Sequence, residues 1–184
     1  CGRVLDVACG RGASSRRLGQ HFGADCITAI NTDMDQLTHA REHGGGTQFV
    51  AMDAAELAFP GQAFDHVVSV EAAFHFRTRE RFFNEAYRVL KPGGFLAISD
   101  LLMTAGCPMV PRENHLHDLA AYQRLITSAG FTGVSVTDVT QQTWKSFRRH
   151  FTRFVASDSR RTLDPLSWRA LYTINVNGAW AIRT

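Results

Sequence analysis

Val4-Leu5-Asp6-Val7-Ala8-Cys9-Gly10-Arg11-Gly12 is an apolar run that closes in a loop with two closely spaced glycines. Val4, Leu5 and Val7 suit a strand buried on both faces of a parallel sheet, and Ala13-Ser14-Ser15-Arg16-Arg17-Leu18 can open the helix that follows. Gly10 and Gly12 let a ligand approach the backbone. Strand, glycine turn and helix together begin a nucleotide-binding α/β unit, a start that NAD, FAD and phosphate sites share.

The spacing narrows the choice. A dinucleotide fingerprint counted from Gly10 needs its third glycine where Ser15 stands, and the Gly-Lys-Ser/Thr ending of a phosphate-binding loop is missing. Asp6 at the end of the strand would repel a pyrophosphate but can meet an ammonium group, which suits S-adenosylmethionine (SAM). The run resembles the first motif of the class I SAM-dependent methyltransferases, with Ala8 where many members have glycine, a departure expected to be sterically mild. The resemblance implies that Asp6, Ala8, Gly10 and Gly12 serve the cofactor.

Strand-like runs and helix-like segments then alternate along the chain, as in a wound α/β sheet. The second strand reads Cys26 to Ile30, followed by Asn31-Thr32-Asp33 and a helix carrying Leu37, Ala40 and Arg41. In the resembled family the ribose is gripped at Asn31, usually by Asp or Glu; an Asn offers one acceptor and one donor group instead. Asn31 and Thr32 are therefore candidate ribose-side residues, with helix capping as the competing reading for Asn31 and the preferred one for Asp33. A third strand, Thr47 to Ala51, leads to Met52-Asp53-Ala54. There the resemblance implies that Asp53 accepts from the adenine amino group, that the Ala54 amide meets a ring nitrogen, and that Met52 or Leu57 covers the ring. Without that context Asp53 reads as a capped loop.

The fourth strand, Phe64 to Val70, runs into Glu71-Ala72-Ala73-Phe74-His75-Phe76, the mouth of the sheet, where Glu71 is a further candidate for the cofactor. After a helix with Phe82, Phe83, Ala86, Tyr87 and Leu90, the step Leu90-Lys91-Pro92-Gly93-Gly94 stops the helix at Pro92 and turns into a fifth strand. This step is the second resemblance to the family, and it is structural. The two motifs and the Asp53-Ala54 step, in order, cover residues 3 to 139 well and the remainder loosely. Leu101 to Glu113 reads as a loop, Leu116 to Ala129 as a helix, Gly133 to Thr140 as a sixth strand, Gln142 to Leu171 as aromatic-rich amphipathic helices, and Val176 to Arg183 as the last strand. The expected fold is α/β and Rossmann-like: a mostly parallel seven-stranded sheet with an antiparallel last strand and helices on both faces.

Composition sets bounds. The 184 residues, 45% of them hydrophobic, suffice for one core, and residues 1–184 read as a single methyltransferase domain. The chain opens at Cys1, just ahead of the first strand, so the expectation is a domain lacking the N-terminal lid segment that the resembled family carries. A formal charge of +3, scattered apart from clusters such as Arg148-Arg149-His150, does not argue for nucleic acid. No apolar run approaches the roughly 20 residues of a membrane span. The four cysteines lack zinc-site spacing and make no disulfide framework, so a cytoplasmic setting is the default. No metal is expected, and a homodimer is allowed.

SAM is already activated, so the protein must align the acceptor and, for a hydroxyl, take a proton. His75 and Asp100 stand just past the ends of the fourth and fifth strands and are the candidate catalytic residues, His75 as base and Asp100 to orient it or hold the acceptor. Sugar O-methyltransferases and related natural-product enzymes often show a His-His pair here, of which Phe74-His75 keeps the second member; if the first is the family base, His75 positions or supports instead. The resulting expectation is methyl transfer from SAM to an O, N or C atom of a small, apolar metabolite. A non-catalytic SAM-binding domain, an inactive fragment, or an enzyme acting on protein or nucleic acid are the alternatives. The last lacks the Asn/Asp-Pro-Pro-Tyr motif of many amino-methylating enzymes.

Overall fold

The computed structural model describes residues 2–102, 110–116, 118–143 and 180–183. Five strands form a parallel sheet: β1 (Val4–Val7), β2 (Ile27–Asn31), β3 (Gln48–Ala51), β4 (Phe64–Val70) and β5 (Leu90–Ser99), in the order β3-β2-β1-β4-β5. All four residues of β1 are buried, as its near-continuous apolar run requires at the centre of a sheet covered on both faces. Val4 sits level with Ile27 on one side and His66 on the other, so the chain winds outward from β1 to β3, returns, and winds the other way through β4 and β5. The reversal leaves a crevice between the carboxyl ends of β1 and β4, where such sheets bind ligands.

The helices α1 (Ala13–Phe22), α2 (Met34–His43), α3 (Arg79–Val89) and α4 (Leu119–Ser128) connect and flank these strands. Side-chain caps start three of them, of which the sequence reading named Asp33. Asp33 accepts from the Asp35 and Gln36 amides, Thr78 from Arg81, and Asp118 from Ala121. Adjacent strand residues point to opposite faces. Ile30 joins a large core with Leu5, Phe64, Phe82, Phe83, Leu96 and Ile126, whereas Ala29 joins a smaller one with Leu37, Ala40 and Phe49. α2 thus covers one face, α3 and α4 the other.

Three boundaries differ from the sequence reading. α3 ends at Val89, before Pro92, and Leu90 is already extended (φ −76°, ψ 141°). β5 consequently begins at Leu90, with a register break between Phe64 and His66 that absorbs the Pro-Gly-Gly step. The helix expected from Leu116 starts at Leu119, after its Asp118 cap. The expected seven-stranded sheet resolves into the five-stranded parallel sheet and a separate antiparallel ladder of β6 (Ser135–Asp138) and β7 (Trp180–Arg183), with β7 lying beside β5. The last strand is antiparallel to β6, as expected for the family; hydrogen-bonded continuity with β5 is what differs. The Gln142 to Leu171 section lies outside the described residues from Trp144 onward. Among the described residues, no helix is long and apolar enough to cross a membrane.

Candidate active site

The crevice at the strand reversal is a cleft of about 590 Å³, within the range of small-molecule sites. Each strand end contributes to it in turn. From β1 come Ala8 and Gly10; from β2, Asn31 and Thr32; from beyond β3, Met52, Asp53 and Ala54; from beyond β4, Glu71 and His75. Two of these carry unusual backbone. Ala8 (φ 60°) and Glu71 (φ 51°) both lie in the left-handed region, which costs a residue with a Cβ roughly 1–2 kcal/mol. Such strain persists where surrounding structure imposes it, and it concentrates at functional sites. Ala8 is therefore not the mild replacement the sequence implies, because glycine would occupy this φ without cost.

Asn31 is half-buried and its Nδ2 donates to Gln36 Oε1 at 3.2 Å. Gln36 thereby engages one of the two amide hydrogens of a residue that lines the cleft. Capping of α2 falls to Asp33, whose Oδ1 accepts at 2.9 and 3.0 Å. Asp53 divides its carboxylate. Oδ1 accepts from the Ala55 amide at 2.8 Å, the loop cap, while Oδ2 lies 3.9 Å from Arg77 Nη1 in an exposed, weak pair. His75 ends a short 3-10 turn, Ala73–His75, its ring 4.0 Å from that of Phe74.

Known proteins share the sequence pattern and the fold that build this cleft. The family described as methyltransferase domain matches residues 5–98, the stretch that builds β1 to β5 and the cleft. The chain belongs to the methyltransferase-domain family. Among its relatives, phosphoethanolamine N-methyltransferase 3 of Arabidopsis thaliana is 29% identical over 80% of this chain and 32% of that protein. A sterol 24-C-methyltransferase of Gibberella zeae is 35% identical over 55% of this chain and 28% of its own length. The chain thus spans about a third of the length of the curated relatives it matches. Phosphoethanolamine N-methyltransferase 2 of Haemonchus contortus, solved with phosphomonomethylethanolamine and S-adenosylhomocysteine, shares the fold: TM-score 0.76 at 19% identity, over 98% of this chain and 47% of that one.

Three residues assigned to the site from sequence do not line the cleft of this methyltransferase domain. Asp6 is 1% exposed, its Oδ2 accepting from the Ser14 and Ser15 hydroxyls at 2.7 and 2.6 Å. It ties the start of α1 to β1. Its Oδ1 is buried without a partner, and burial raises the carboxyl pKa against the lowering effect of the two serines. Direct contact between Asp6 and a ligand's ammonium is thus not provided by this geometry; the carboxylate lies beneath the cleft floor. Gly12 is required for packing. It adopts φ 78° at the head of α1, and a Cβ there would sit 3.1 Å from Ala40 Cβ and 3.3 Å from the Phe49 ring. Cys9, between the cleft residues Ala8 and Gly10, is also buried, and that burial, reinforced by Asp6, pushes its thiol up to about 12.

Asp100 departs furthest from expectation. It is fully buried behind the His75 turn, and both oxygens are engaged: Oδ2 by Arg79 Nε at 2.6 Å and the Tyr122 hydroxyl at 3.0 Å, Oδ1 by the Phe74 and Leu101 amides at 3.1 and 2.8 Å. A carboxylate so committed cannot also orient His75 by direct contact or hold an acceptor. Conversely, Gln36, Phe76 and Arg77 line the cleft without having been singled out. Gln36 had a signal in the Asp33-x-x-Gln36 spacing of a capping box, which places it in the first turn of α2. Phe76 and Arg77 carried none beyond proximity to His75. Among the described residues, the candidate metal-ligand group is His39, Glu42 and His43, and none of these lines the cleft.

Proposed function

We propose that this domain binds SAM in the cleft between β1 and β4 and that the protein transfers its methyl group to an O, N or C atom of a small, apolar metabolite. The observation that carries the reading is the convergence of cofactor-binding groups from three consecutive strand ends. The Ala8–Gly10 backbone admits close approach, Asn31 Oδ1 offers an acceptor for a ribose hydroxyl, and Asp53 with the Ala54 amide offers the acceptor and donor an adenine edge needs. Glu71 adds a carboxylate for the cationic end, and Asp6 adds negative charge beneath the floor, which a pyrophosphate would oppose and a cation favours. Volume and donor set both fit SAM.

When bound, SAM supplies a methyl group already activated on a sulfonium. The residues have the remaining tasks of aligning the acceptor and receiving a proton. His75 is the cleft residue suited to take one from a hydroxyl near neutral pH. Asp100 is committed to Arg79, Tyr122 and two backbone amides, so the base role proposed here rests on the place of His75 in the cleft. Family membership and the small-molecule chemistry of the named relatives support a metabolite over a macromolecule.

Calorimetric titration with SAM, S-adenosylhomocysteine and NAD tests the reading. SAM or its demethylated product should bind and NAD should not. NAD binding without SAM binding would refute it. With an acceptor in hand, His75→Ala should lower turnover about 100-fold or more while leaving cofactor affinity nearly intact; equal losses in fold and binding would assign His75 to structure.

A further inference from the structure

Resting on the SAM-cleft reading, we propose that Asn114, Asp100 and Arg79 form a buried clamp that positions the turn carrying His75 against the cofactor. The clamp grips main chain on both sides of His75. Asn114 Nδ2 donates to Phe74 O at 3.2 Å and to Phe76 O at 2.7 Å, and Asp100 Oδ1 accepts from Phe74 N at 3.1 Å. Three backbone groups of a short loop are thereby fixed by two side chains, which arrive from the end of β5 and from the segment ahead of α4.

Arg79 locks those two together. Its Nε donates to Asp100 Oδ2 at 2.6 Å, its Nη1 to the Asn114 carbonyl, its Nη2 to Leu101 O at 2.7 Å, and its backbone amide to Asn114 Oδ1 at 2.8 Å. Arg79, Asp100 and Asn114 are each at most 1% exposed. Asn114 uses both amide hydrogens and its oxygen, so a hydrophobic replacement could fill its volume but not hold the turn.

Stability alone does not account for such a cluster. Buried ion pairs are often replaceable by apolar residues at no loss, because desolvation offsets their attraction. What apolar residues cannot do is donate to two carbonyls and accept from an amide at fixed points. The restrained loop is also the wall of the cleft, since Glu71, Ala72, His75, Phe76 and Arg77 all line it. Asp100, Asn114 and Arg79 are therefore positioning residues, acting on His75 and its neighbours through the backbone.

Asn114→Asp tests this directly, because it keeps the acceptor for the Arg79 amide and removes the two donors. Amide hydrogen exchange and calorimetry with S-adenosylhomocysteine are measured on the whole chain. Exchange of the 74–77 amides should accelerate at least about tenfold with the 27–31 amides unchanged, and the Kd should rise about tenfold. Unchanged turn exchange, acceleration spread evenly over the sheet, or a loosened turn with unaltered affinity would each overturn the proposal. Where Asn114→Asp does not fold, Asn114→Ala removes the same donors without adding charge and is read the same way; failure of both to fold would assign the cluster to stability. If the wild-type chain binds neither SAM nor S-adenosylhomocysteine, the function proposed above fails, and the exchange measurement still decides whether the clamp exists.

Discussion

The sheet ends in a buried carboxylate at two places, Asp6 in β1 and Asp100 just past β5, and the two are satisfied in opposite ways. Asp100 meets a guanidinium, a phenol and two amides. Asp6 meets two hydroxyls and keeps one oxygen unpartnered. The same side chain at the same depth is thus fully compensated at the end of β5 and undercompensated in β1. Burial alone does not define a functional carboxylate; the partners brought to it do. The fully paired one holds structure in place, and the other keeps one oxygen uncompensated close in sequence to Ala8 and Gly10, which line the cleft.

The largest test of this contrast is Asp100→Ala. It leaves Arg79 buried without its counter-charge and should cost about 3–5 kcal/mol in a denaturant melt. A loss below about 1 kcal/mol would mean that Arg79 re-pairs and that the two carboxylates differ little. A middle-sized effect is expected at a carboxylate that does line the cleft: Asp53→Ala should weaken SAM by about 1–3 kcal/mol with the fold intact, and unchanged calorimetric affinity would remove Asp53 from the site.

Asp6→Asn sharpens the comparison through pH. Burial raises the Asp6 pKa above its ordinary value of 3.8, so the native state holds this proton more tightly than the unfolded chain does. Its contribution to stability therefore declines as pH rises from about 4 through the raised native value and stays low above it. The Asn variant should lack that slope, match or exceed wild-type stability at pH 7 within about 1 kcal/mol, and bind SAM more weakly through the lost charge. A steeper acid dependence in the variant would show that Asp6 is compensated after all. The smallest effect belongs to Ala8→Gly, which relieves the left-handed strain at φ 60° against the added freedom of glycine in the unfolded chain. A gain of about 0.5–1 kcal/mol is expected in thermal melts; a loss would show that the Ala8 methyl packs productively.

The parallel sheet and most of the residues that line the cleft were legible because their signals are local. An apolar run, a glycine pair and an acidic residue after a strand each sit within a few residues, and Ala8, Gly10, Asn31, Asp53 and Glu71 all line the cleft. The role of Asp100 was not legible. Its partners Arg79 and Tyr122 lie 21 and 22 residues away, on two different helices, and Arg79 reads in sequence as one more charge at a helix start. The strain at Ala8 was hidden for another reason: a dihedral angle leaves no mark on residue identity, so an Ala-for-Gly exchange looked innocuous. β6 and β7 were visible as strands, but whether β7 bonds to β5 or only lies beside it depends on twist, not composition.

The buried thiol of Cys9 offers a clock. It stays protonated across the physiological range and is shielded within the glycine turn, so an alkylating reagent should reach it only when that turn opens. The labelling rate at this one position, separable from other cysteines by peptide mapping, then reports how often the turn breathes. A ligand that seals the cleft should slow the clock, giving an occupancy assay that requires no knowledge of the methyl acceptor.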